Sequence, residues 1–321
     1  MTKKLYDNLV KPILFRDGPK GLYPKPLYWM EGKDLEGYNG NVGYTFVTEP
    51  TTFHPMEGLV AHPYDEILVF AGLDKRDILY LGGEVSIEIG EEREEYAFTE
   101  PTVVCIPKGV PHGQVKVRRV YKTFAHYFVG LAAQYEATAI SAVGNVKSGG
   151  KKYAHLVKKL VTHVPEGYVK GSGMGYEEVT DERGVMLPAT SETMQVGPGN
   201  ADELIWMFGD DLEHFEVNFT WGHYTRSGKW HRMGETHTHP EEEILCFFPA
   251  EPDHLDDLGC EMEFGMGAER EREIFSKPTI VVCPKGFPHL PEITRWCDRM
   301  YIFIVICMSG LHDSPWIEIP E

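Results

Sequence analysis

The sequence predicts an all-β protein made of two tandem β-barrels that arose by internal duplication. The phrase LVAHPYDEILVF at residues 59 to 70 returns as ETHTHPEEEILCF at residues 235 to 247, which places His239 at an offset of 239 − 62 = 177 from His62. PTVVCIPKGVPH from Pro101 matches PTIVVCPKGFPH from Pro278 at the same offset. Short segments rich in β-branched and aromatic residues, separated by prolines and glycines, are typical of strands. One register kept over this distance predicts two copies of one all-β unit, each a small barrel or sandwich.

The duplicated region sets the domain boundaries. The offset also pairs LYWMEGKDLE from Leu27 with LIWMFGDDLE from Leu204, so the repeats cover residues 24 to 130 and 201 to 307. We predict an N-terminal domain over residues 1 to 145 and a C-terminal domain over residues 201 to 321. Between them, apolar residues at helical spacing in KKYAHLVKKLVTHV predict a short connecting helix over residues 151 to 164. The rest of residues 146 to 200 is glycine-rich and predicts a linker.

Composition excludes several classes of partner. The 321 residues carry 31 Lys and Arg against 49 Asp and Glu, a formal charge of −18, which repels nucleic acid and anionic lipid surfaces. No apolar run approaches the ~20 residues of a membrane helix, and the N-terminus has no apolar stretch of signal-peptide length. The six cysteines include no C-x-x-C pair, which favours reduced thiols. We therefore expect a cytoplasmic protein with no membrane or nucleic-acid partner.

Four side chains of the second repeat have the pattern of a metal site. His237, His239 and Glu243 share one parity, so on a strand they point to the same side. His289 follows a Pro-Lys-Gly turn, where a neighbouring strand can bring a fourth ligand. The alternative is a set of surface histidines on an acidic strand.

These motifs resemble those of the cupin superfamily, which contain H-x-H-x(3 or 4)-E and P-x-G-x-x-H. His237-Thr-His239-Pro-Glu-Glu-Glu243 and Pro284-Lys-Gly286-Phe-Pro-His289 match them, and the duplication makes the chain similar to a bicupin of two jelly-roll barrels. The resemblance implies one divalent transition metal per chain (Mn, Fe, Ni, Co, Cu or Zn), held by three histidines and one glutamate with two adjacent positions left for substrate, water or dioxygen. Pro278 and Ile293 depart from the family pattern at turns and flanking strand, and leave the ligands intact.

The first repeat carries the same motif without its first histidine. Val60 stands there, while His62, Glu66 and His112 remain as a candidate second metal site. The pattern fits either a three-ligand site or a hydrogen-bonded relic, and we expect weak or absent metal binding. His54 or His126 is available as the missing ligand, although no spacing requires it.

Other residues are candidates for catalysis and substrate binding. His223 has Phe46 as its counterpart and is a candidate for proton transfer. His231 has His54 as its counterpart and is a candidate for orienting a ligand. His231 and His54 fit ordinary strand histidines better. Aromatic and cationic residues near the second motif predict a site for a planar anionic molecule, although strand aromatics are often core residues: Trp221, Tyr224, Arg232 and Tyr301.

The resemblance implies a metal-dependent enzyme that acts on a small enol, β-dicarbonyl or carboxylate compound and cleaves a carbon–carbon bond. Fold-level analogy slightly favours a dioxygenase. The alternatives are an oxygen-independent decarboxylase or other lyase, a hydrolase or isomerase, and a non-catalytic small-molecule-binding or storage-like bicupin. A pirin-like regulator is disfavoured because no DNA-binding element accompanies the barrels. Resemblance to bicupins also implies a homodimer or a larger homo-oligomer.

Overall fold

The computed structural model describes residues 4–141, 144–163, 180–187, 199–230, 236–315 and 317. The chain divides into two compact units, one formed by Ile13–Leu160 and the other by Met1–Pro12 together with Val161–Glu321. No helix in the described ranges is long and apolar enough to cross a membrane.

Strands make up almost all of the regular structure. Those up to Leu160 are, in chain order, β1 (Val10–Pro12), β2 (Phe15–Arg16), β3 (Leu27–Met30), β4 (Asn41–Val47), β5 (Thr51–Phe53), β6 (Leu59–Ala61), β7 (Glu66–Gly72), β8 (Gly83–Ile89), β9 (Glu94–Phe98), β10 (Thr102–Ile106), β11 (His112–Val120), β12 (Phe124–Gly130), β13 (Thr138–Ile140), β14 (Lys147–Ser148) and β15 (Val157–Lys159). Those that follow are β16 (Glu203–Met207), β17 (Asn218–Tyr224), β18 (Gly228–Lys229), β19 (Glu243–Pro249), β20 (Cys260–Met266), β21 (Glu271–Phe275), β22 (Thr279–Cys283), β23 (His289–Cys297) and β24 (Tyr301–Cys307). Helix within the described ranges is limited to short 3₁₀ segments: Asp7–Leu9, Gly32–Asp34, Ala154–Leu156 and Gly209–Asp211.

The unit of Ile13–Leu160, the N-terminal barrel, consists of two sheets around one core. One sheet has the order β15-β10-β7-β12-β4-β3-β2, and the other has the order β13-β6-β11-β8-β9-β14 with β5 also paired to β11. Alternate side chains of both sheets point inward and are fully buried, among them Leu68 and Phe70 on β7, Ile87 on β8 and Val115 on β11. This burial of apolar side chains from two facing sheets is the main favourable contribution to the barrel's stability.

The second unit, the C-terminal barrel, repeats this plan. Its sheets have the orders β1-β22-β19-β24-β17-β16 and β18-β23-β20-β21. Glu243 at the start of β19 lies opposite Cys283 and Cys307, as Glu66 lies opposite the equivalent positions in the first unit. The predicted all-β duplication is confirmed.

Each barrel takes an edge strand from the segment that precedes the other repeat. β1 pairs with β22 of the C-terminal barrel, and β15 pairs with β10 of the N-terminal barrel. The two edge segments are related in sequence, since YDNLVK from Tyr6 recurs as YAHLVK from Tyr153. Each of these tyrosines lies against a glycine of the barrel that its strand joins, and a Cβ at either glycine would meet the ring. The duplicated unit thus includes an exchanged strand that the constant offset does not reveal.

The predicted connecting helix over residues 151 to 164 is wrong for the part that the structure describes. Ala154–Leu156 forms one 3₁₀ turn, and Val157–Lys159 continues as β15. The apolar spacing suits a helix, but it also suits a turn followed by a strand, and the open edge of β10 offers backbone groups that need partners. Most of the predicted glycine-rich linker falls on residues 164–179 and 188–198, which lie outside the described residues.

Candidate metal centres

The predicted ligands of the C-terminal barrel come from strands of both of its sheets and from the segment that precedes β19. Glu243 is the first residue of β19, and His289 is the first residue of β23. The backbone of His237 pairs with that of His289 in an antiparallel bridge, with N–H to O distances of 3.2 and 3.1 Å. This bridge holds the H-x-H segment beside the second motif, so all four side chains enter the same end of the barrel.

In the C-terminal cluster, two imidazoles contact the Glu243 carboxylate and the third contacts one of those imidazoles. The Nε2 atoms of His239 and His289 each lie 3.2 Å from Glu243 Oε2, and those of His237 and His239 lie 3.0 Å apart. All four residues are at most 3% exposed. Three imidazole nitrogens and one carboxylate at these separations form a donor set that suits a divalent transition metal.

Backbone carbonyls fix two of these imidazoles. Nδ1–H of His239 donates to the Asp313 carbonyl at 2.8 Å, and Nδ1–H of His289 donates to the Phe287 carbonyl at 3.1 Å. With the proton on Nδ1, the Nε2 lone pair of each ring is directed at the cluster centre, as metal ligation requires.

The Glu243 carboxylate is ionised in this setting. Burial raises its pKa, but His239 and His289 beside it lower the pKa more strongly, so that the net value lies well below the usual range. Burial likewise raises the pKa of the neighbouring Cys283 thiol well above its ordinary value. Cys283 is thus a neutral thiol beside the cluster, and the anionic ligand is the glutamate.

The N-terminal barrel contains a complete cluster of the same composition. His54, His62, Glu66 and His112 are all buried, and their ligand atoms lie within 4.8 Å of one another. His54 Nε2 lies 3.0 Å from Glu66 Oε1, while the Nε2 atoms of His62 and His112 lie 3.5 Å from the carboxylate oxygens. The sequence indicated an ordinary strand histidine at position 54, yet its side chain supplies the third imidazole that Val60 cannot.

His54 reaches the cluster from the end of β5 rather than from the H-x-H position. Its backbone has φ of 53°, a left-handed conformation that is uncommon for a residue other than glycine. Nδ1 of His54 lies 3.1 Å from the Tyr23 hydroxyl, which in turn lies 3.0 Å from His126 Nε2. Nδ1–H of His126 donates to the Val69 carbonyl at 3.0 Å. This chain of hydrogen bonds orients His54.

Unpartnered atoms show that the N-terminal cluster fits a metal ion. Among the described residues, His62 Nε2, His112 Nε2 and Glu66 Oε2 are buried without a hydrogen-bond partner. Nδ1–H of His62 donates to the Glu136 carbonyl at 2.6 Å, so its Nε2 is an acceptor directed into the cluster. Buried polar atoms without partners are costly, and metal coordination would satisfy all three.

The sequence matches no protein-family model and no curated protein. The fold, in contrast, matches solved oxalate decarboxylases over nearly the whole chain. One, studied for its substrate binding mode and reaction specificity, has a TM-score of 0.55 and 10% identity over 96% of this chain and 79% of its own. The Bacillus subtilis enzyme at pH 4.6 has a TM-score of 0.54 and 11% identity, over 96% of this chain and 78% of its own. A variant of that enzyme has a TM-score of 0.55 and 12% identity, over 96% of this chain and 79% of its own.

The chain has the bicupin fold. At identities of 10 to 12% this likeness concerns the architecture. The candidate metal clusters, one group of four residues in the N-terminal barrel and overlapping groups of three in the C-terminal barrel, stand on the geometry of this chain.

The other predicted site residues of this chain fall into three groups. Tyr224 and Tyr301 lie inside the C-terminal barrel with their rings stacked at 5.1 Å. His223 and Trp221 alternate with Tyr224 along β17 and therefore lie on the opposite face of that strand, with ring centroids 6.1 Å apart. The remaining two, His231 and Arg232, lie outside the described residues.

Two residues of the C-terminal barrel were missed by sequence reasoning. His312 lies with its ring centroid 4.6 Å from that of His239, and it belongs to a group of potential ligands with His239 and Glu243. Glu292 is buried three residues after His289. The available signal was the constant offset, which pairs His312 with Tyr135 and Glu292 with Val115.

Proposed function

We propose that this bicupin is a metal-dependent decarboxylase that removes carbon dioxide from a small carboxylate, with the reaction in the C-terminal barrel. The observation that carries the proposal is a buried set of ligands in which His239 and His289 contact the Glu243 carboxylate and His237 contacts His239. The solved neighbours are oxalate decarboxylases, which supports a carboxylate as the substrate class.

A divalent transition metal held by these four side chains would supply a Lewis acid that polarises a substrate oxygen. Manganese, iron, cobalt, nickel, copper and zinc all suit three imidazoles and one carboxylate. The protein's own contribution is orientation, because the Asp313 and Phe287 carbonyls fix the rings of His239 and His289. Burial excludes bulk water and strengthens electrostatic interactions with the substrate.

The proposed reaction needs no oxidant. The bond between the carboxylate carbon and its neighbour breaks, carbon dioxide leaves, and the electron pair remains on the neighbouring carbon, which then takes one proton. A dioxygenase, which the sequence slightly favoured, would consume dioxygen and needs a redox-active metal. We prefer the decarboxylase because the solved structures of the same fold carry that activity in their names.

Turnover under air and under nitrogen separates the two reactions. Oxalate, malonate and 3-oxo acids are incubated with the metal-loaded protein, and released carbon dioxide is measured along with dioxygen uptake. The decarboxylase predicts release that is unchanged under nitrogen. Release that stops without dioxygen would restore the dioxygenase.

A second metal in the N-terminal barrel is favoured by one specific observation. His54 completes a set of three histidines and one glutamate there, although Val60 replaces the motif histidine. The Tyr23 and His126 side chains that support His54 occupy the barrel interior beside it. We infer that this site binds metal for stability, whereas the C-terminal site binds metal for catalysis.

A storage-like or purely binding bicupin is the competing function. It predicts that His237→Ala leaves both metal content and any ligand-dependent shift in melting temperature unchanged, whereas the enzyme predicts that both fall. A homodimer or larger assembly and a cytoplasmic location stay predictions, and light scattering in solution measures the first.

A further inference from the structure

The interior of the C-terminal barrel is polar at positions where the N-terminal barrel is apolar. Four positions related by the 177-residue offset show this contrast: Tyr224, Glu292, Thr294 and Tyr301 replace Val47, Val115, Val117 and Phe124. All four residues of the N-terminal set belong to that barrel's hydrophobic core. The fold therefore packs well with apolar side chains here, and folding does not explain the polar set.

Glu292 is the costliest member of this set. It lies on β23 three residues after His289 and is 2% exposed. Neither of its carboxyl oxygens has a hydrogen-bond partner among the described residues. Burial of a carboxyl group without partners is unfavourable even in its neutral form, and a valine at this position would avoid the cost.

Tyr224 has a second buried polar group without a hydrogen-bond partner in the described part of the chain. Its side chain is fully buried, and its hydroxyl has no hydrogen-bond partner within the described ranges. The hydroxyl of the stacked Tyr301 is engaged, because it lies 2.6 Å from Thr294 Oγ1, and that atom also accepts from the Asn200 amide at 2.8 Å. Of the four polar residues of this set, Tyr224 and Glu292 therefore have groups that are available to hydrogen-bond a ligand.

Burial favours the protonated, neutral form of both groups. Burial raises the pKa of Glu292 well above its usual range, and the negative charge of Glu243 raises it further. Burial also raises the pKa of Tyr224 well above its ordinary value, with Glu292 as the next contribution. The interior of the C-terminal barrel thus holds two O–H donors that are electrostatically coupled to each other, and Glu292 is also coupled to Glu243 of the predicted metal centre.

We propose that the Tyr224 hydroxyl and the Glu292 carboxyl bind the keto oxygen of the substrate, which makes a 3-oxo carboxylate the preferred substrate class. The inference deepens the proposed decarboxylase and rests on it for the reaction. A keto oxygen accepts two hydrogen bonds, and it becomes negative when the substrate loses carbon dioxide.

The chemistry is balanced without any further reactant. The bond between C2 and the carboxylate carbon breaks, and its electron pair forms the double bond of an enolate whose negative charge lies on the keto oxygen. Carbon dioxide leaves, and C2 later takes one proton. Two O–H donors in a water-poor site stabilise this developing charge, in the way that a phenol and a neutral carboxylic acid stabilise enolates in known isomerases.

Substitutions at Glu292 distinguish a neutral donor from an ionised carboxylate. Glu292→Val installs the residue of the N-terminal barrel, while Glu292→Gln keeps an N–H donor at the same place. Tyr224→Phe removes only the hydroxyl. Glu263→Gln, on the neighbouring β20 and in a surface salt bridge with Arg272, is the matched control.

The first assay measures carbon dioxide release from acetoacetate by the metal-loaded variants. We expect Glu292→Val and Tyr224→Phe to lower kcat/KM about 100-fold, as removal of one donor to a developing oxyanion does elsewhere. Glu292→Gln should stay within about tenfold of the wild type because it retains a donor. Metal content and circular dichroism should match the wild type in all variants, and Glu263→Gln should match it throughout.

The second assay measures binding of acetylacetone, a β-diketone that carries no carboxylate, by ultraviolet difference spectroscopy. We expect binding by the wild type and by Glu292→Gln, and its loss in Glu292→Val. Wild-type behaviour of Glu292→Val in both assays would overturn the proposal. So would an equal loss in Glu292→Gln and Glu292→Val, which would indicate an ionised carboxylate.

The two assays also separate this inference from the proposed function. If no carboxylate is decarboxylated while acetylacetone binding still depends on Glu292, the decarboxylase fails and the oxygen-binding site stands. If oxalate is decarboxylated and neither Glu292 nor Tyr224 affects any reaction or binding, the decarboxylase stands and this inference fails.

Discussion

Nε2 of His54 lies 3.0 Å from Oε1 of Glu66, in a barrel whose motif lacks its first histidine. The imidazole arrives from the end of β5, and the strand that carries Val60 contributes no ligand at that position. The two barrels thus bring together the same residue types, three histidines and one glutamate, by different routes, since the third histidine of the other barrel is His237.

His54→Ala should lower the metal content of the purified protein from about two ions per chain to about one. A site that loses one of its four ligands also loses much of its affinity for metal. Elemental analysis measures the count. His155→Ala, at an exposed position of the same barrel, is the control and should leave it unchanged. Equal metal content in His54→Ala and the wild type would show that His54 is not a ligand.

Removal of metal should destabilise the protein. An ion that binds only the folded state raises the free energy of unfolding. The increase is about 4 kcal/mol when the free ion concentration is 1,000 times the dissociation constant. We expect dialysis against a chelator to lower the melting temperature, and re-addition of manganese to restore it. The His54→Ala variant should show a smaller change, since it has one site fewer to empty, whereas an unchanged melting temperature in the chelated wild type would contradict both sites.

Acid should destabilise the N-terminal barrel partly through His126. Burial lowers the pKa of His126 to about 3, with His54 as a further contribution. The unfolded chain therefore binds a proton between about pH 6.5 and pH 3 that the folded chain excludes, and the free energy of unfolding falls as the pH falls through this window.

His126→Phe, which installs the residue found at the equivalent Phe303, tests this dependence. Between pH 7 and pH 5 the wild type should lose about 2 kcal/mol more unfolding free energy than the variant. Urea unfolding at both pH values measures the difference. Parallel losses in the two proteins would assign the acid sensitivity to other groups.

Deletion of residues 1 to 12 should destabilise the C-terminal barrel selectively. The deletion removes β1 and uncovers the edge of β22, and it also removes the contact of Tyr6 with Phe287, whose rings lie 5.1 Å apart. We expect faster amide hydrogen exchange in β22 and unchanged exchange in β10, which keeps its own edge strand β15. Protection of β22 that survives the deletion would show that the exchanged strand adds little.

Much of the fold and the C-terminal cluster could be predicted from the sequence. The 177-residue offset between the repeats is read directly from the sequence. Strand geometry then predicts that His237, His239 and Glu243, which are separated by even numbers of residues, point to the same side. The connecting segment could not be predicted in this way, because Val157 has a spacing that fits a helix and a strand equally. The open edge of β10, a property of the folded barrel, decides between them.

The sequence left His54 as one of two options for the missing ligand and did not indicate Glu292, for different reasons. His54 joins the cluster from the end of β5 with a left-handed backbone, and no local spacing in the sequence encodes that conformation. The sequence pairs Glu292 with Val115 through the offset. The difference between the two residues becomes significant only when the fold shows that this position faces the barrel interior. Differences between internal repeats become informative once the fold assigns each position to an inner or an outer face.

The central claim is that the C-terminal cluster is the catalytic metal centre, and carbon dioxide release under nitrogen by His237→Ala and His54→Ala tests it most directly. With oxalate, malonate and acetoacetate as substrates, the account predicts that the wild type releases carbon dioxide, that His237→Ala loses at least about 100-fold in rate, and that His54→Ala keeps most of its activity at a temperature where it is folded. Activity that survives in His237→Ala but disappears in folded His54→Ala would place catalysis in the N-terminal barrel and contradict the account.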